Sequence, residues 1–131
     1  MRMVGAAAVV AALVLAPAVG AGTAPATLRA DVAEWSVVPG SGVVPAGRVK
    51  LVVRNVGYRT HELVVVRTAS FGQTLELRGD RAVATPVAPR MLLAPGTTRT
   101  IVVSLSRGSY LLVDNLPWHY WEGTSAAFSV S

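Results

Sequence analysis

His61-Glu62-Leu63-Val64-Val65-Val66 is a nearly continuous apolar, β-branched run, too short for a buried helix and bounded by turn residues. Such a run lacks the alternation of a strand with one wet face, so it predicts a strand covered on both sides in the middle of a sheet. Upstream, Asn55-Val56-Gly57 breaks a preceding strand in which Val49, Leu51 and Val53 alternate with Lys50 and Arg54. Further back, Leu28, Ala30 and Val32 alternate with Arg29 and Asp31, and Trp35, read as a core residue, opens a second apolar stretch. Pro39-Gly40-Ser41-Gly42 and Pro45-Ala46-Gly47 are turns.

Downstream, residues Ala69 to Arg90 hold no sustained period and read as a long connection with at most a short strand or helical turn. Pro95-Gly96 turns into a strand whose Ile101, Val103 and Leu105 share a face, and Arg107-Gly108 turns again. Tyr110, Leu112 and Asp114 then fall on one side of the next strand, and Phe128 and Val130 point inward from the last, Ala126 to Val130. Seven or so short strands with turns between them and no amphipathic helix predict an all-β Greek-key β-sandwich.

The first residues are organised differently. Met1-Arg2-Met3 precedes an apolar run from Val4 to Val19, and small residues follow at Gly20, Ala21, Ala24 and Ala26. This basic, apolar, small-residue order predicts a secretory signal over residues 1–26, cut near 21–26, with one domain at 27–131. The run is shorter than the roughly 20 residues a spanning helix needs, so the mature form is expected to have no membrane span. The predicted location is secreted, in the periplasm or extracellular cell envelope.

Composition narrows the function. Apolar residues make up 52% of the 131-residue chain and charged ones 15%, ample for one packed core. With no cysteine there is no disulfide, thiolate ligand or thiol nucleophile. The net charge of +5 comes from arginines scattered along the chain (Arg48, Arg54, Arg59, Arg67, Arg78, Arg99, Arg107), not from a basic patch, so nucleic acid is not an expected partner. Ser-His-Asp spacing, a phosphate loop and HExxH are all missing, and the chain is not read as an enzyme. Glu62 and Glu122 flank the histidines, but Glu62 follows His61 on a strand and faces the opposite way.

The order Val44-Pro45-Ala46-Gly47, Arg54-Asn55-Val56-Gly57, the His61 run, Leu93-Ala94-Pro95-Gly96, Gly108-Ser109-Tyr110 and the loop before the last strand resembles the cupredoxins, small copper proteins of the plastocyanin, azurin and sulfocyanin type. The likeness covers Ala30 to Ser131. It implies a copper site built from a mid-chain histidine and from a cysteine, a second histidine and usually a methionine of the closing loop. His61 matches the first histidine and His119 the second, with Leu116-Pro117 and Tyr120 flanking it. Asp114 stands at the cysteine position, Thr124 at the methionine position, and Trp118 where a glycine commonly precedes the second histidine.

Without either sulfur the cuprous state loses its soft ligands, so a blue electron carrier is excluded. Two imidazoles and a carboxylate suit Cu(II), or alternatively Zn(II), and leave positions for water. The expected metal residues are His61, Asp114 and His119, with Thr124 a weak or water-mediated fourth contact, in a non-blue, type 2 copper site. The alternative is a fully degenerate site with no metal, in a protein-interaction module that docks a cell-envelope protein on the Trp118–Trp121 loop.

Overall fold

The computed structural model describes residues 24–131. The predicted signal and its cleavage positions up to residue 23 lie outside the described residues. Eleven strands form two packed sheets and a small hairpin, and no helix occurs among the described residues. The strands are β1 (Ala26–Ala33), β2 (Ser36–Pro39), β3 (Val43–Val44), β4 (Gly47–Asn55), β5 (His61–Thr68), β6 (Leu77–Arg78), β7 (Arg81–Ala82), β8 (Met91–Leu93), β9 (Thr98–Leu105), β10 (Gly108–Asp114) and β11 (Ser125–Val130). One sheet has the order β2-β1-β4-β9 and the other β3-β11-β10-β5-β8. Strands β1 and β4 run parallel from Ala26 opposite Val49 to Val32 opposite Asn55, as do β11 and β3; the other pairs are antiparallel.

The alternating residues meet between the sheets. Leu28, Ala30, Val32, Val49, Leu51 and Val53 pack against Leu63, Val65, Leu93, Tyr110, Leu112 and Phe128 in one buried cluster. The His61 run is covered on both faces because a second cluster forms outside its sheet: Val64, Val66, Leu111 and Val113 are buried there with Leu75 and Ala82. Leu75 and Ala82 belong to the long connection, which is therefore ordered. It carries the β6–β7 hairpin and bridges back to the sheet at Val66 and Pro86. Two-residue strands are too short to show a period, which is why this segment reads as irregular in the sequence.

Two expectations are corrected. Strand β5 lies one place in from the edge, between β10 and β8, while β10 takes the middle of the sheet. Trp35 is not a core residue; it sits half-buried in the tight turn between β1 and β2.

Candidate metal centre

The pairing of β5 with β10 brings the first two expected site residues together. His61 opens β5, Asp114 closes β10, and the register sets Asp114 opposite Leu63, so both side chains lie at the same end of the sandwich. The loop between β10 and β11 returns the third. Its backbone is cross-linked: Asp114 N–H donates to Thr124 O at 2.9 Å, Thr124 N–H to His119 O at 3.1 Å, and His119 N–H to Leu116 O at 3.0 Å. Trp118 N–H ties the loop to the β6–β7 turn at Asp80 O, 2.7 Å away.

These constraints converge on one oxygen. Asp114 Oδ2 accepts from Nδ1 of His61 and from Nδ1 of His119, the latter at 2.6 Å, while Oδ1 accepts from the backbone N–H groups of Glu62 at 3.1 Å and Leu116 at 3.2 Å. One donor atom from each of His61, Asp114 and His119 lies within 4.8 Å of the other two. His61 and Asp114 are fully buried, and the His119 side chain is 11% exposed. Thr124, the expected fourth contact, bonds both neighbours through its peptide, and its buried Oγ1 has no hydrogen-bond partner.

The residues present fit a hard-to-borderline divalent ion. Two imidazole nitrogens and a carboxylate oxygen are donors that Cu(II) and Zn(II) both accept, and three protein ligands leave positions for water. Thr124, whose backbone bonds both Asp114 and His119, also carries a buried hydroxyl with no hydrogen-bond partner. The donor set does not fit a blue centre, because no cysteine exists in the chain.

Two further residues, both missed by the sequence reading, complete the surroundings. His61 Nε2 donates to Glu34 Oε1 at 2.8 Å, so this imidazole meets a carboxylate at each ring nitrogen. A neutral imidazole has one N–H and serves only one of them; a second proton or a metal ion supplies the other contact. The Glu34 carboxylate also accepts the backbone N–H groups of Arg59 at 2.8 Å and Tyr58 at 3.2 Å. Burial works to raise its pKa, but the hydrogen bonds from His61, Arg59 and Tyr58 outweigh burial and bring it down from 4.5 to about 2. The adjacent Trp35 presents its ring edge-on to His119, centroids 5.0 Å apart and planes at 78°, with the Arg59 guanidinium 5.6 Å from the Trp35 ring. One turn thus touches both histidines.

The flanking residues divide. Glu62 pairs with Arg90 at 3.1 Å, away from the cluster, and Glu122 is exposed. The Tyr120 hydroxyl accepts from Leu75 N–H at 2.8 Å, and its half-buried ring packs against the second core. Trp118 and Trp121 are 56% and 65% exposed. Trp118 has a φ of 68°, the left-handed conformation that glycine adopts without cost, in keeping with the glycine expected there by resemblance.

No protein-family description and no curated protein matches the chain. Solved structures do. Reduced auracyanin from the photosynthetic bacterium Roseiflexus castenholzii superposes with a TM-score of 0.60 at 21% identity, covering 83% of this chain and 99% of that one. Auracyanin B gives 0.57 at 20% identity over 84% and 92%. Rusticyanin, a copper protein, gives 0.57 at 16% identity over 82% and 80%. The fold is that of the cupredoxins, and the missing cysteine agrees with a substituted ligand set.

Proposed function

We propose that this chain is an exported cupredoxin-fold protein that binds one divalent metal ion, copper in the first place, at a non-blue site made by Nδ1 of His61, Nδ1 of His119 and the Asp114 carboxylate. The observation that carries this reading is the convergence of both Nδ1 atoms on a single carboxylate oxygen at the end of the sandwich. Copper there would be held by nitrogen and oxygen alone, which favours Cu(II) and leaves no thiolate for strong charge transfer. The chain's own part is to orient the two imidazoles, hold the carboxylate in place through two backbone N–H groups, and shield the ion within the loop. The role is binding, not catalysis, and the basic, apolar, small-residue sequence of residues 1–26 supports a place in the cell envelope or outside the cell.

The test is spectroscopic. Copper-loaded protein should be nearly colourless and give the wide EPR hyperfine splitting of tetragonal Cu(II). His119→Ala should abolish that signal at one equivalent, and Asp114→Asn should weaken binding less, since an amide oxygen is a poorer ligand than a carboxylate. An unchanged signal in His119→Ala would reject the assignment.

A second reading is favoured by the internal saturation of Asp114, whose two oxygens already hold four donors, beside the exposed rings of Trp118 and Trp121. In that reading the cluster is a metal-free polar core, and the two indoles dock a cell-envelope protein.

A further inference from the structure

The Glu34 carboxylate sits in a prepared cradle. Asn55, fully buried, organises the loop that follows β4: its Oδ1 accepts from Gly57 N–H at 2.9 Å, and its Nδ2 donates to Arg59 O at 2.8 Å and Leu93 O at 3.0 Å. The loop so formed aims the Tyr58 and Arg59 N–H groups at Glu34 and leaves room for the carboxylate over Gly57, where a β-carbon would stand 2.6 Å from Oε1. Backbone donors turned inward in this way form an anion nest. The glutamate side chain is 7% exposed, and its ring contact fixes the His61 imidazole from the side opposite Asp114.

Charge adds a second consequence. Among the described residues, Glu34 and Asp114 form ion pairs only with His61 and His119; no lysine or arginine pairs with either. Buried charge needs local compensation. Two carboxylates and two neutral imidazoles sum to two negative charges, which a divalent ion cancels and a monovalent ion leaves half-balanced.

Resting on the metal reading above, we propose that Glu34 is a positioning residue of the site: seated in the Gly57–Arg59 nest, it anchors His61 through Nε2 so that Nδ1 faces the ion, and with Asp114 it makes the site select Cu(II) over Cu(I). A carboxylate behind a ligating histidine holds the ring's orientation and raises its donor strength, and loss of such a partner costs about 10- to 100-fold in metal affinity.

The experiment compares the wild-type protein with Glu34→Gln and Gly57→Ala in two ways. Nitrogen-15 spectra of the histidine rings, recorded without metal and assigned with His119→Ala, report the ring contact itself. Competition titrations with Cu(II) and with Cu(I) report selectivity. Glu34→Gln should shift the His61 ring resonances and weaken Cu(II) binding about 10- to 100-fold, with a much smaller loss for Cu(I). Gly57→Ala, which displaces the carboxylate without removing it, should shift the same resonances. Unchanged His61 resonances in Glu34→Gln would overturn the positioning role, and equal losses for the two oxidation states would overturn the selectivity. A wild-type protein that takes up no Cu(II) would instead bring down the metal reading and the selectivity with it, while the ring spectra still decide whether Glu34 anchors His61.

Discussion

The Glu34 carboxylate fills the space that a side chain at Gly57 would take: a β-carbon there would lie 2.6 Å from Oε1 and 2.8 Å from Cδ. No real β-carbon tolerates such contacts, so either the loop or the carboxylate must move. The glycine is thus required by a close approach, not by an unusual backbone conformation.

Gly57→Ala should therefore destabilise the protein by about 1 to 3 kcal/mol, the range for overpacking and for weakened hydrogen bonds to a charged group. Urea unfolding measures it. A loss below about 0.5 kcal/mol would show that the nest yields freely.

The Glu34 carboxyl also sets an acid limit. Its pKa is lowered on folding, from 4.5 to about 2, so its stabilising contribution is complete above about pH 4.5 and is lost as pH falls through that interval toward 2. The stability difference between the wild type and Glu34→Gln should be constant above pH 5 and shrink steadily below 4.5. Denaturant unfolding at a series of pH values would reveal this, and a difference that does not change between pH 5 and 2 would contradict it.

The core makes an independent demand. Val65 and Leu112 are fully buried in the cluster between the sheets, and truncation of either leaves a cavity. Val65→Ala or Leu112→Ala should cost about 1 to 4 kcal/mol. Losses under about 0.5 kcal/mol at both would mean that the inward assignment of these strands is wrong.

Much of this architecture is legible from alternation. Leu28, Ala30 and Val32, like Val49, Leu51 and Val53, announce one-faced strands because a pleated backbone puts every second side chain on the same side. The doubly buried His61 run is legible as well, but its outer cover is not, since Leu75 and Ala82 sit in a segment of two-residue strands. His61, Asp114 and His119 can be picked out because the closing loop keeps a recognisable order of residues, and the structure brings all three together. Glu34 and Trp35 carry no such mark. They lie in a two-residue turn, and their contacts with His61 and His119 arise from the parallel pairing of β1 with β4, which sets the turn beside the loop after Asn55. A glutamate in a turn looks like any solvated charge until that pairing is known.

Export supplies a further expectation. The signal should be removed between residues 21 and 26, and Ala26 is already paired with Val49 as the first residue of β1, so a cut at the late end of this interval would reach the start of the sheet. Mass spectrometry of the protein recovered from the envelope or medium should find a new N-terminus in that interval. A chain that still begins at Met1 would identify the apolar run as an anchor.

Whether His61, Asp114 and His119 hold a metal is measured by calorimetric titration of the purified, metal-free protein with Cu(II) and with Zn(II) at neutral pH. One equivalent of Cu(II) should bind, more tightly than Zn(II) as the order of divalent affinities at nitrogen and oxygen donors requires, and His119→Ala should remove the binding. Neither ion binding at neutral pH would contradict the account, leaving His61, Asp114 and His119 as a metal-free polar core.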